Sequence, residues 1–155
     1  MSEAKPAARA GFGLSLKGRA LRYLAGREHS RAELERKLKD HEETPGQLAQ
    51  VLDELQAKDF ISEARVGESV IHRRASRFGA ARIKYELLNK GLGAEAVAEA
   101  VNRLKGSELE RAQVIWRKKF DGPAPDAAAR AKQMRFLAAR GFGGDVIRRV
   151  LSQAD

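Results

Sequence analysis

Apolar residues recur along most of this chain at the three- and four-residue spacing of a helix face, and no stretch shows the alternation of a half-buried strand. Nine short helices are expected, near 15–28, 31–41, 45–58, 63–77, 80–90, 94–105, 108–120, 127–140 and 144–153. Their starts are marked by residues that accept from free helix N–H groups. Ser30-Arg31-Ala32-Glu33 and Thr44-Pro45-Gly46-Gln47 read as capping boxes, the second with proline at the first helical position. Ser62, Ser107 and Asp126 read as further N-caps, and Gly91 and Gly141 sit where a helix ends in a left-handed residue. Residues 1–14 lack periodicity and are expected to be a flexible basic tail.

The apolar pattern repeats. At an offset of 49, Leu34, Leu38, Leu48, Val51, Leu52 and Leu55 map onto Ile83, Leu87, Val97, Ala100, Val101 and Leu104. At an offset of 50, Leu87, Gly91, Leu92, Val97, Ala100 and Val101 map onto Leu137, Gly141, Phe142, Ile147, Val150 and Leu151. In the first helix of each unit the match thins to Leu21, Val70 and Phe120. The pattern predicts an all-α chain of three three-helix repeats, residues 15–61, 62–106 and 107–155, with no sheet. A unit of this size holds only a marginal core alone, so neighbouring units should support one another in an elongated, monomeric array.

Charge adds a direction to this scaffold. The 155 residues include 30 Lys and Arg against 21 Asp and Glu, a net charge of +9. Residues 1–62 hold 11 basic and 10 acidic groups, whereas 63–106 hold 9 and 5 and 107–155 hold 10 and 6. A balance this basic argues for a polyanionic partner, and the excess lies in the last two-thirds of the chain. No apolar run reaches the roughly 20 residues of a membrane-spanning helix, and no signal-peptide pattern opens the chain. A cytoplasmic protein is expected.

Enzyme chemistry has no foothold in the pattern. There is no cysteine. His29, His41 and His72 are scattered, lack metal-ligand spacing and are expected at the surface. The glycine spacing of Gly13 to Ala20 approaches a phosphate-binding loop but lacks its Lys and Ser/Thr. No catalytic residue, metal or cofactor is assigned.

The cations are segregated. Between Glu3 and Glu28 lie Lys5, Arg9, Lys17, Arg19, Arg22 and Arg27 with no acid among them. Between Glu68 and Glu86 lie Arg73, Arg74, Arg77, Arg82 and Lys84, and between Asp126 and Asp145 lie Arg130, Lys132, Arg135 and Arg140. Arg117, Lys118 and Lys119 are explained by the helix macrodipole, which favours cations at a C-terminus. The middle stretch is not, because it spans a helix end, a turn and the next helix start. Its arginine forks match phosphate or carboxylate, and free N–H groups at Gly79 to Ala81 are expected to add to an anion site. The candidate binding set is Arg73, Arg74, Arg77, Arg82, Lys84, Lys90, Arg130, Lys132, Arg135 and Arg140. The middle arginines are expected at the surface, where their replacement leaves stability unchanged. The aromatics, including Phe78 and Tyr85 within this stretch, are assigned to core packing.

Three motifs in succession resemble the RecX family of RecA regulators. The first is Ser30-Arg31-Ala32-Glu33-Leu34-Glu35-Arg36-Lys37-Leu38, followed by Val51-Leu52-Asp53-Glu54-Leu55. The second runs from Phe78-Gly79-Ala80-Ala81-Arg82 through Ile83-Lys84-Tyr85-Glu86-Leu87-Leu88-Asn89-Lys90-Gly91-Leu92. The third is Arg135-Phe136-Leu137-Ala138-Ala139-Arg140-Gly141-Phe142, closing with Val146-Ile147. The first unit departs from the other two, with His41-Glu42 where they have Lys90-Gly91 and Arg140-Gly141.

The resemblance implies a non-enzymatic and mostly inhibitory modulator of RecA. Such proteins bind the RecA–single-stranded-DNA filament along its groove and block its extension, ATP hydrolysis and strand exchange. The implied partners are the RecA filament and single-stranded DNA, the latter bound weakly and without sequence preference. A helix-turn-helix DNA-binding regulator is the alternative, since three-helix units also place helices in major grooves.

Overall fold

The computed structural model describes residues 14–154, so all but the last residue of the 1–14 tail lies outside the described residues. Nine α-helices and no strand occur among them: α1 (Leu16–Gly26), α2 (Arg31–Leu38), α3 (Gln47–Ala57), α4 (Glu63–Arg74), α5 (Ala80–Asn89), α6 (Ala94–Lys105), α7 (Glu108–Lys119), α8 (Ala127–Ala139) and α9 (Gly144–Ala154). None is long and apolar enough to cross a membrane. Two compact units divide between Val66 and Gly67.

In the first unit α1, α2 and α3 close over Leu16, Ala20, Leu34, Leu38, Leu48, Leu52, Leu55 and Ile61. The Ser30 capping box forms as expected. Ser30 Oγ accepts from the Glu33 N–H at 3.1 Å, and the Glu33 carboxylate accepts from the Ser30 N–H at 2.9 Å. Where the other repeats have a glycine, α2 instead tightens into a 3-10 turn, Lys39–His41. The box expected at Thr44 does not form. Thr44 to Gln47 make a type II turn, with Gly46 at φ 87° and the Gln47 N–H donating to the Thr44 carbonyl at 3.2 Å. Proline at the second turn position and glycine at the third favour that turn over a helix start, and the Glu42 carboxylate caps α3 through the Leu48 N–H.

His29 is buried, contrary to the surface position expected for it. It lies against the Tyr23 ring, with centroids 5.4 Å apart. Its Nδ1 is 3.1 Å from the Arg27 carbonyl, and its Nε2 is 2.9 Å from Lys37 Nζ. An ammonium donates, so Nε2 accepts and the proton sits on Nδ1: the ring is neutral. Burial lowers its pKa from the ordinary value, the Arg27 carbonyl opposes this, and the Arg27 and Lys37 charges lower it further. His41 and His72 are exposed.

In the second unit Ala80, Ile83 and Leu87 of α5 and Val97, Ala100 and Leu104 of α6 are buried as one repeat, with Leu92 between them. Ala112, Ile115, Trp116, Leu137, Phe142, Ile147, Val150 and Leu151 form the core of the next. Trp116 Nε1 donates to the buried Gln133 amide oxygen at 2.9 Å, tying α7 to α8. Ser62 and Asp126 cap their helices through Arg65 N and Ala129 N, at 3.2 and 2.8 Å. Ser107 makes no such cap: its hydroxyl accepts instead from Arg111 Nε at 3.1 Å. Gly91 and Gly141 adopt the expected positive φ, 80° and 93°.

Burial also corrects the repeat register of the first helices. Leu16, Val66 and Trp116 are buried at a spacing of 50, and Ala20, Val70 and Phe120 follow one turn later, with Phe120 partly exposed. Leu21, the expected match, is only half-buried, and the small Ala20 beside it is buried fully.

Candidate functional site

The middle basic stretch occupies the end of α4, the five-residue turn 75–79 and the start of α5. Arg111, on α7, holds that turn. Its Nη1 donates to the Ala75 and Phe78 carbonyls, both at 2.8 Å, and its Nη2 to the Leu104 carbonyl at 3.2 Å. Burial lowers the pKa of this guanidinium, which a planar five-donor group tolerates while staying charged. Four acceptors converge on one fork, which is why the turn carries its side chains in fixed places.

The free N–H groups expected at the α5 N-terminus are taken. The Gly79 N–H donates to the Arg140 carbonyl at 2.7 Å and the Ala81 N–H to the Gly141 carbonyl at 3.1 Å. The Ala80 N–H donates to the Glu108 carboxylate at 2.9 Å. The negative end of α8 thus meets the positive end of α5, and the two dipoles offset one another. This close approach needs glycine. A Cβ on Gly79 would overlap the Gly141 carbonyl, and one on Gly141 would overlap Cβ of Arg82. Backbone anion binding is therefore removed from the site, and side chains carry the positive charge.

Those side chains gather on two rings. Over Phe78 lie the guanidinium carbons of Arg82 at 4.3 Å, Arg77 at 5.4 Å and Arg140 at 5.9 Å from the centroid. Arg140 also lies 5.0 Å from the Phe136 centroid, and Lys119 Nζ lies 5.6 Å from it. Arg82 Nη1 donates to the Ala139 carbonyl at 3.2 Å and Arg140 Nη1 to the Arg77 carbonyl at 3.3 Å. Ser76, Arg77, Lys118, Lys119, Phe136 and Arg140 line a cleft of about 280 Å³ floored by Ile115. No carboxylate among the described residues pairs with Arg77, Arg82 or Arg140. Exposed cation–π contacts contribute roughly 0.5–1 kcal/mol each. They offset the mutual repulsion of the cations without neutralising them, so the site presents an uncompensated positive field to an anion.

The ten candidate residues separate accordingly. Arg77, Arg82 and Arg140 form the cluster. Arg74 is half-buried and paired with Glu86 at 3.1 Å, which corrects the expectation that all four middle arginines are free surface groups. Arg73, Lys84, Lys132 and Arg135 are exposed, and Lys90 and Arg130 are partly buried. Lys84 lies on the flank of α5 away from Arg82. Lys132 falls on the α8 stripe of Phe136 and Arg140, while Arg130 falls on the other flank. Lys118 and Lys119 belong to the cleft although the macrodipole alone had accounted for them. Two further corrections concern aromatics. Phe78 is half-buried as a platform for cations, and Tyr85 is 67% exposed. The α5 core stripe runs through Ala80, Ile83 and Leu87, leaving position 85 on the outer face.

Comparison with known proteins identifies the scaffold. The chain matches, in order, the family models described as the RecX first three-helix domain over residues 17–55, the second over 62–101 and the third over 107–151. It is 57% identical over 142 residues to the regulatory protein RecX of Leptothrix cholodnii, covering 92% of this chain and 90% of that protein. Against the regulatory protein RecX of Ralstonia nicotianae it is 49% identical, covering 92% and 89%. The crystal structure of RecX from Lactobacillus salivarius shares the fold at a TM-score of 0.79 and 21% identity, over 90% of this chain and 94% of that one. These relatives bear the name of a regulatory protein rather than of an enzyme. Three family domains in sequence and close relatives over nine-tenths of the chain make it a member of the RecX family.

Proposed function

We propose that this chain is a regulator of RecA that binds the RecA–single-stranded-DNA filament and restrains its extension, ATP hydrolysis and strand exchange. The family name supports RecA as the partner. The observation that carries the binding surface is the cluster of Arg77, Arg82 and Arg140 on Phe78, extended by Lys118 and Lys119 along the cleft. A filament of protein and DNA offers phosphates and carboxylates, and an unpaired guanidinium makes charge-assisted hydrogen bonds to either. Lys132 continues the α8 stripe of Phe136 and Arg140, while Arg73, Lys84, Lys90, Arg130 and Arg135 add to the overall positive charge of the second unit. The reading carries with it a cytoplasmic, monomeric protein that acts where RecA does.

The test is the single-stranded-DNA-dependent ATPase of RecA with this protein titrated in. A progressive fall in hydrolysis, with no hydrolysis by the protein alone, supports the reading. An unchanged ATPase at stoichiometric excess overturns it, and tight binding to one duplex sequence in its place assigns the protein to transcriptional control.

A further inference from the structure

The outer face of α5 carries a second cleft, of about 300 Å³, beside the cationic cluster. Arg74, Phe78, Arg82, Tyr85, Glu86 and Asn89 line it. Arg82 is common to both features: its guanidinium rests on Phe78 and its stem borders the cleft. Glu86 is the acid of the group, and Arg74 neutralises it at 3.1 Å. Tyr85 is 67% exposed, more than any other large apolar or aromatic side chain among the described residues. Asn89 follows one helical turn later and is also exposed.

From this juxtaposition we infer that the Tyr85 cleft receives an unpaired base of single-stranded nucleic acid, with the adjoining phosphates on Arg82 and its neighbours. An exposed ring beside an unpaired guanidinium is the pairing that single-strand binding uses, because every base has a face to stack and every nucleotide a phosphate. The Asn89 amide supplies a donor and an acceptor for a base edge. A duplex hides its base faces, so the cleft discriminates against it. The inference rests on the basic face of the second unit being the working face, and it assigns that face to the DNA of the filament rather than to the protein.

The experiment compares two probes without RecA present. One is an oligothymidylate of about 15 nucleotides, within the span of known single-strand sites, and the other an abasic strand of equal length and charge. Wild type is expected to bind the thymidylate about ten-fold more tightly than the abasic strand. Y85A should bind both strands equally, at the affinity wild type shows for the abasic one, and Y85F should retain the preference. Thermal unfolding of Y85A should match wild type, since the ring is exposed. Equal affinity of wild type for the two strands, or no binding to either, overturns the inference, as does a preference that survives in Y85A. The RecA ATPase titration with wild type separates this outcome from the proposed function. If wild type inhibits RecA but shows no base preference, the regulatory reading stands and the base site falls. A base preference in wild type without any effect on RecA does the reverse.

Discussion

The two units are built from the same three-helix repeat and differ in charge balance and in where their most clustered cations turn. Residues 1–66 hold 12 basic and 11 acidic groups, and Lys17, Arg27, Arg31, Lys58 and Arg65 among them pair with carboxylates. Lys17 and Lys58 share Glu54 at 2.8 and 3.0 Å, and Lys17, then Lys58, hold that carboxyl below its ordinary pKa. Arg31 reaches Asp53 at 2.7 Å, Arg27 reaches Glu33 at 2.9 Å, and Arg65 spans Glu28 and Asp59. Residues 67–155 hold 18 basic and 10 acidic groups, and Arg77, Arg82 and Arg140 turn to rings and carbonyls instead. Exposed ion pairs contribute about 0–1 kcal/mol each, so folding does not demand the pairing seen in the first unit. What differs is the field left over for a partner. The scaffold is common to both, and the charge arrangement distinguishes them.

The largest effect expected separates the glycine contacts of the units. Gly141 and Gly46 both have positive φ, but only Gly141 faces another backbone within van der Waals reach. Gly141→Ala should cost about 3–4 kcal/mol, from left-handed strain of roughly 1–2 and overpacking of roughly 1–3. Gly46→Ala should cost about 1 kcal/mol, from the strain alone. Chemical denaturation of the two variants checks this, and equal losses would mean that the α5–α8 approach is loose.

Next comes the charge comparison itself. Replacing Arg77, Arg82 and Arg140 by glutamine should weaken inhibition of the RecA ATPase about 100-fold, since charge-assisted bonds contribute roughly 1.5–3 kcal/mol each. Replacing Arg22, Arg36 and Lys39, exposed in the first unit, removes the same charge and should change inhibition less than about three-fold. Arg31 is unsuited to this control because it bonds Asp53, Glu35 and Gln56. A loss of inhibition in the first-unit triple alone would move the working face to the wrong unit.

A smaller effect concerns the arginines that build structure. Arg111→Met withdraws donors from three carbonyls and should cost about 2 kcal/mol, and Arg111→Lys should not restore it because an ammonium cannot reproduce the fork. Arg31→Met, which breaks a surface network, should cost less than about 1 kcal/mol. Melting temperatures of the three variants decide it.

The smallest is a pH effect confined to the first unit. Folded His29 has a pKa below the ordinary value near 6.5, so above that value the ring is neutral in both states and contributes no pH dependence. Below it the unfolded chain takes up the proton first, and the unit loses stability as pH falls towards the folded pKa. The groups facing the ring are Tyr23, Lys37, Glu33 and the Arg27 carbonyl and guanidinium. His29→Gln should flatten the wild-type loss that sets in as pH falls below about 6.5. An identical pH profile in the variant would place the titrating group elsewhere.

The fold was largely legible because burial at a fixed period leaves a pattern in one dimension. Leu34, Ile83, Leu87, Leu137 and Phe142 announce their helices, and the helix bounds fall within a few residues of those expected. Pro45-Gly46 was misread since proline suits both a helix start and a turn, and only the backbone angle of Gly46 decides between them. The candidate site was legible as a charge count and not as a shape. Sequence spacing singled out Arg77, Arg82 and Arg140, which meet over Phe78 across 63 positions. It did not separate them from Arg74, whose partner Glu86 sits beyond the turn. Arg111 left no signal at all, since one arginine among many gives no sign that it faces four acceptors. Tyr85 was assigned to the core by residue type, although counting from Ile83 and Leu87 turns it outward.

The carbonyl and ring contacts of Arg82 and Arg140 have a consequence for affinity. A free arginine that is immobilised on binding loses rotamer freedom, at about 0.5–1.5 kcal/mol per side chain. Here the Ala139 and Arg77 carbonyls, with the Phe78 and Phe136 rings, restrict both side chains before any partner arrives. Most of the ordering is complete once the second unit has folded, so an incoming anion meets preorganised donors. Modest charge can then give a long residence time on an anionic partner.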